Sequence, residues 1–143
     1  MKQRILFLCT GNSCRSQMAE GFARHLKSDR IEAHSAGLET HGLNPMAVKA
    51  MAEVGLDISR QRSKHVDDLR NIPFDYIITV CAHADQHCPI FPGNATIVHI
   101  PFDDPPALAK GAENEEQALI PYRRVRDQIA NFIKTLPESL QNY

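Results

Sequence analysis

Nowhere does this sequence hold an apolar run long enough to cross a bilayer; the longest, around Ile5 to Leu8, is strand-sized. It also lacks a surplus of charge. Sixteen Lys plus Arg stand against 17 Asp plus Glu, a formal net charge of -1. So even a balance argues against nucleic acid or a membrane surface as the main partner. Internal repeats, low-complexity tracts and linkers are missing too. A single domain over residues 1–143, acting as a monomer, is the economical expectation. Met1-Lys2-Gln3-Arg4 runs straight into the first apolar stretch without a signal-peptide pattern, which points to the cytoplasm. Cysteine is scarce and unevenly spread, with Cys9 and Cys14 close together and Cys81 and Cys88 much later. Without a secretory signal, four thiols read as catalytic, redox-active or metal-binding and not as a disulfide framework.

What the chain does have is an alternation of strand-like and helix-like patterns. Strands are predicted at Ile5–Leu8, Ile31–Ser35, Tyr76–Val80 and Thr96–Ile100. Helices are predicted over residues 16–27 and 45–51, and within 113–136. Asn44 caps the second helix, Pro45 sits in its first turn and Gly55 closes it. Residues 63–69 form a weaker helical stretch. Such alternation implies an α/β fold: a parallel sheet with helices on both faces and the site at the carboxyl ends of the strands. Cys9, Cys81 and the Asp103-Asp104 pair each follow a predicted strand, so they are expected to meet at one edge.

The segment Cys9-Thr10-Gly11-Asn12-Ser13-Cys14-Arg15-Ser16 carries the chemistry. Backbone N–H groups in a tight loop opening a helix form a nest for an anion. Gly11 permits φ > 0 and Asn12 tolerates it. Arg15 offers a planar fork of donors to two oxygens at once. The same electropositive setting should hold Cys9 as a thiolate at neutral pH, with the Ser13 and Ser16 hydroxyls as further donors to it. Cys14 reads as a packed bystander. The nucleotide-binding Gly-Lys-Ser/Thr loop is a poorer match because no lysine stands where it is required. Cys9 is thus a candidate nucleophile toward a tetrahedral oxyanion.

Residues Cys9 to Gly21 resemble the signature of the low-molecular-weight protein tyrosine phosphatase superfamily, and more closely its thioredoxin-coupled arsenate reductases. Ser35-Ala36-Gly37, His41-Gly42-Leu43-Asn44-Pro45 and Phe102-Asp103-Asp104-Pro105 extend the resemblance through most of the chain. It implies a single-domain, three-layer fold on a four-stranded parallel sheet. It further implies that Cys9 attacks arsenate, with phosphate or sulfate as competing oxyanions, while Asp104 serves as the general acid. A reductase must supply two electrons. In the family's relay, Cys81 would attack Cys9 and release arsenite, and Cys88 would then attack Cys81, leaving a disulfide for thioredoxin. Residues 82–87 should accordingly be helical when reduced and a loop when oxidised.

The alternative is a phosphatase of the same fold. Against it, Pro106-Ala107-Leu108-Ala109 offers no aromatic wall for a phosphotyrosine ring. Ile100-Pro101 before Phe102 departs from the commoner reductase pattern and touches only loop geometry. A zinc site from Cys81, His83, His87 and Cys88 matches no usual spacing, so no metal and no cofactor are expected. Some relatives bind potassium, for which Asn12, Glu20 and Ser35 are candidates; Lys64, standing where they offer a carboxylate, argues against it. The remaining histidines read as surface or hydrogen-bonded groups, and residues 122–126 as the solvated face of the last helix.

Overall fold

The computed structural model describes all residues, 1–143. Its elements are β1 (Gln3–Cys9), α1 (Arg15–Leu26), β2 (Ile31–Gly37), α2 (Pro45–Ala52), β3 (Tyr76–Thr79), α3 (Ala82–Gln86), β4 (Thr96–His99), α4 (Pro105–Leu108) and α5 (Glu115–Lys134). The sheet is parallel throughout, in the order β2-β1-β3-β4. Ile5 to Leu8 are fully buried, as a central strand clothed on both faces must be. Helix α1 packs on β1, β2 and α5, and α2 docks on α5.

The order places β1 between β2 and β3, so the chain leaves β1 toward one neighbour and later returns on the other side. A crevice opens at the carboxyl ends where those connections diverge. Register aligns Cys9 with Gly37 and Leu8 with Thr79, which brings the ends of β1, β2 and β3 level.

The expected elements are present with shifted ends. Strand β2 runs two residues further, to Gly37, and there forms a bridge to His65. That bridge holds His65 in extended backbone, leaving only a 3-10 turn at Val66–Leu69 where a longer helical stretch is predicted. Asn44 caps α2 by accepting from the Met46 and Ala47 amides, and Gly55 follows with φ +82°. The short α4 went unforeseen because Pro105 and Pro106 hide a one-turn helix from any periodicity.

One surface reading is corrected. Residues 122–126 are not a solvated face: Tyr122 and Arg126 are buried. Arg126 donates to the Ala50 carbonyl at 2.8 Å and to Glu53 at 2.9 Å, joining α5 to the end of α2. A fork of donors can satisfy a buried helix terminus, which makes an inward arginine stable there.

Candidate active site

Strand β1 delivers Cys9 to the crevice, and the chain then curls through an arc before α1 starts at Arg15. Residues 38–41 run alongside that arc. The Leu38, Glu39 and His41 amides donate to the carbonyls of Cys9, Thr10 and Gly11 at 3.2, 2.9 and 3.0 Å. With those carbonyls tied down, the amides of Gly11 through Arg15 donate to no other group of the protein. Five amides in one arc, at the amino end of α1, are thus available as donors, the arrangement an anion nest requires.

Asn12 takes the positive φ, at +48°. Gly11 does not, so its role differs from the expected one. A β-carbon at Gly11 would lie 2.2 Å from Nδ1 of His41, and glycine is needed there for space. Gly37 is needed for the same reason, since a β-carbon would meet the Asn12 amide and the Thr10 carbonyl at 2.7 Å.

Opposite the nest stands the loop after β4. Arg15, whose side chain is 12% exposed, donates from Nη1 to the Phe102 carbonyl at 2.9 Å and lies 3.6 Å from Asp104 through Nη2. The guanidinium therefore connects the nest to the candidate acid. Cys9, Thr10, Gly11, Ser13, Cys14, Arg15, His41, Asn44, Asp104 and Pro106 line a cavity of about 410 Å³. Cys14 is buried on its wall, and desolvation pushes its thiol up to about 12, as befits a bystander. His41 is exposed and hydrogen-bonded to Glu39 at 2.6 Å, in line with the reading of the histidines, and its ring also forms part of this wall.

Cys9 and Cys81 are both buried, and their thiols are near enough to perturb one another. Cys81 is the N-cap of α3, its sulfur accepting from the Ala84 amide at 3.4 Å and lying 3.4 Å from the Thr10 hydroxyl. The hydrogen bond from Cys9 is the largest cause that lowers Cys81, to about 5, and the Thr10 and Ala84 contacts add to it against burial. Cys9 is raised, first by the same hydrogen bond and then by burial, against the pull of Arg15. The expectation of a lowered Cys9 thiol differs from this: Cys9 is raised and Cys81 lowered, the two titrate as a coupled pair, and the Thr10 and Ala84 donors converge on Cys81. Neither the Ser13 nor the Ser16 hydroxyl makes a hydrogen bond to the Cys9 sulfur; Ser16 Oγ accepts from Asn12 Nδ2 at 2.8 Å.

All four cysteines are free. Cys88 is half-buried beyond the far end of α3, where burial and then the Asp85 carboxylate push its thiol up. His83 and His87 lie against each other with ring centroids 4.6 Å apart, and no three His, Cys, Asp or Glu side chains converge to hold a metal.

A second layer braces the nest. Asn12 Oδ1 accepts from the Lys64 amide at 2.8 Å and from Gln17 Nε2 at 3.0 Å, and Ser63 Oγ donates to the Gly11 carbonyl at 2.9 Å. Gln17 and Ser63 were missed in the sequence, because polar side chains 17 and 63 show no pattern until the fold brings them to Gly11 and Asn12. Glu20, 2% exposed, receives Ser35 Oγ at 2.6 Å, Lys64 Nζ at 3.5 Å and Arg24 Nε at 3.1 Å. A carboxylate already facing two side-chain cations does not suit potassium, and this site does not fit that ion.

The sequence profile described as Low molecular weight phosphotyrosine protein phosphatase matches residues 4–143. An arsenate reductase of Halalkalibacterium halodurans is 50% identical over 138 residues, covering 96% of this chain and 97% of that one. Among solved structures, an arsenate reductase in the phosphate-binding state superposes with a TM-score of 0.75 at 32% identity, covering 94% and 95% of the two chains. The thioredoxin-dependent arsenate reductase of Corynebacterium glutamicum superposes with a TM-score of 0.68 at 25% identity, covering 98% of this chain and 62% of that one.

Proposed function

The chain belongs to the low molecular weight phosphotyrosine protein phosphatase family, and we propose that it reduces arsenate to arsenite through a thiol relay regenerated by thioredoxin in the cytoplasm. One observation supports this reading above the rest: a second buried thiol, Cys81, contacts Thr10 of the oxyanion loop at 3.4 Å and couples electrostatically to the neighbouring nucleophile Cys9. A phosphatase needs water at that place. A neighbouring sulfur is what a two-electron reduction needs.

Arsenate enters the nest with its oxygens on the five free amides and the Arg15 fork. Cys9 gives its proton to the Cys81 thiolate as it attacks arsenic, and Asp104 protonates the oxygen that leaves as water. Cys81 then returns its proton to an arsenic-bound oxygen and attacks the Cys9 sulfur. The sulfur–arsenic bond breaks, its electron pair stays on arsenic, arsenite departs and a Cys9–Cys81 disulfide remains. Two thiols and arsenate have become a disulfide, arsenite and water.

Cys88 next displaces Cys9 from Cys81. The five wound residues of α3 rise about 7.5 Å with His87 still to come before Cys88, whereas disulfide-linked Cα atoms lie about 4.4–6.8 Å apart. Helix α3 therefore has to unwind, in keeping with its being a helix here while all thiols are free.

The deciding experiment is disulfide mapping by mass spectrometry after the reduced protein meets arsenate. A Cys81–Cys88 bond in the native chain and a trapped Cys9–Cys81 bond in Cys88→Ser are expected. Steady hydrolysis of a phosphate ester with no disulfide in either would replace this reading with the phosphatase.

A further inference from the structure

A cluster behind α3 is used by none of these steps. Thr79, the last residue of β3, is fully buried, and its Oγ1 donates to Asp85 Oδ1 at 3.1 Å. The same oxygen lies 2.9 Å from Nδ1 of His99, the last residue of β4. A hydroxyl has one proton, and the Asp85 carboxylate lies nearer to Oγ1 than the Val98 carbonyl at 3.5 Å, so Thr79 is assigned as donor to Asp85 and acceptor from His99. The Thr79 carbonyl, 3.2 Å from the same nitrogen, can only accept as well. Both contacts place the ring proton on Nδ1. The result is a directed chain from His99 through Thr79 to Asp85, with His99 Nδ1 itself 3.9 Å from the carboxylate.

Asp85 makes the only side-chain hydrogen bond that α3 sends to the rest of the protein. The other polar anchor is the Cys81 sulfur, capping the helix through the Ala84 amide. The reaction removes that anchor. Once Cys81 is bonded to Cys9, its sulfur carries no charge and is a weak acceptor. Five residues of helix cannot stand alone in water. From that moment α3 is held by Asp85 and by the burial of Ala84.

We propose that Thr79, Asp85 and His99 form a latch that keeps α3 wound and sets the rate at which Cys88 reaches the Cys9–Cys81 disulfide. The proposal rests on the relay reading above. In the step concerned, the Cys88 thiol loses its proton to solvent and its thiolate attacks the Cys81 sulfur. The Cys9–Cys81 bond breaks, and Cys9 leaves as a thiolate facing Arg15. One disulfide replaces another, with no net transfer of electrons. Asp85 also contributes, after burial, to holding the Cys88 thiol up, so the wound helix keeps Cys88 both distant and protonated. These three are positioning residues: none touches arsenate.

The test compares the native chain with Thr79→Val, Thr79→Ser and Asp85→Ala. Valine keeps the shape and loses the hydroxyl, serine keeps the hydroxyl, and Asp85 is exposed enough for its loss to leave the fold intact. Amide hydrogen exchange in the reduced proteins reads the latch directly at Asp85 and His87, whose amides donate to the Cys81 and His83 carbonyls. Exchange there should rise roughly 3- to 10-fold in Thr79→Val and Asp85→Ala, the worth of one hydrogen bond, and stay native in Thr79→Ser. Single-turnover arsenite release should keep its native rate in all four. Conversion of the Cys9–Cys81 to the Cys81–Cys88 disulfide should quicken by a factor like that seen in exchange. Equal exchange in all four proteins overturns the latch, as does faster exchange with conversion no faster. Absence of a Cys81–Cys88 bond in the native chain itself overturns the relay, and the kinetic role of the latch with it.

Discussion

At Gly11 the constraint is one missing carbon. The His41 ring occupies the space a side chain would need, so Gly11→Ala must push His41 off the cavity wall. We expect a loss of about 1–3 kcal/mol in unfolding free energy from overpacking, together with a raised KM for arsenate; urea titration and steady-state kinetics check the two. Asn12 is held by different physics, a positive φ and a full set of amide partners, and that much is legible from its residue type. The space at Gly11 is not, because the ring that fills it comes from 30 residues away. The thiol pair makes a pH prediction. Cys81 is lowered to about 5, so it is a thiolate above that pH and gains a proton as pH falls through it. Thiolate ultraviolet absorbance should therefore persist at neutral pH and vanish near pH 5 in the native reduced chain. In Cys81→Ser that low transition should be lost. A Cys9 that alone carried the thiolate would keep it.

Among the elements, length and ends follow local rules while inward-facing charge does not. Asn44 and Pro45 mark the start of α2 in any context, since the cap and the fixed φ are local chemistry. The basic run 122–126 looks solvated because charge favours water, yet Arg126 turns inward to serve the Ala50 carbonyl at the end of α2. Arg126→Met should leave that carbonyl unpaired and lower stability by about 1–3 kcal/mol. Turnover per folded molecule should stay native; thermal unfolding and an activity assay on the same sample separate the effects. Residues 63–65 show the opposite case. Their sequence hints at helix, but Gly37 bridges to His65 and donates to the Lys64 carbonyl, which keeps them out of a helix and leaves the Lys64 amide to Asn12.

For the molecule as a whole, the parallel order β2-β1-β3-β4 gathers the ends of three strands and the loop after β4 around one crevice. Charge is distributed over the same scale. Glu20 from α1 meets Ser35 from β2, Arg24 from α1 and Lys64 from the segment beyond α2, so the brace behind the nest carries its own cations. Activity should accordingly be the same in potassium and sodium salts at equal ionic strength. Lys64→Met should loosen the brace, measured as faster amide exchange in residues 11–13. A several-fold selective activation by potassium in the native chain would contradict this account of Glu20. The sequence by itself determined the nest, because the amide arc, the cysteine and Arg15 lie within seven consecutive residues whose spacing dictates their geometry. It also marked Cys81, Cys88 and Asp104 by their places after strands and by resemblance. Only the tertiary structure decided that Cys9 is raised while Cys81, where the donors converge, is lowered. It alone set Arg15 against Asp104 and tied α3 to Thr79 and His99. Charge and proton position depend on which groups meet in space, and those groups come from strands far apart along the chain.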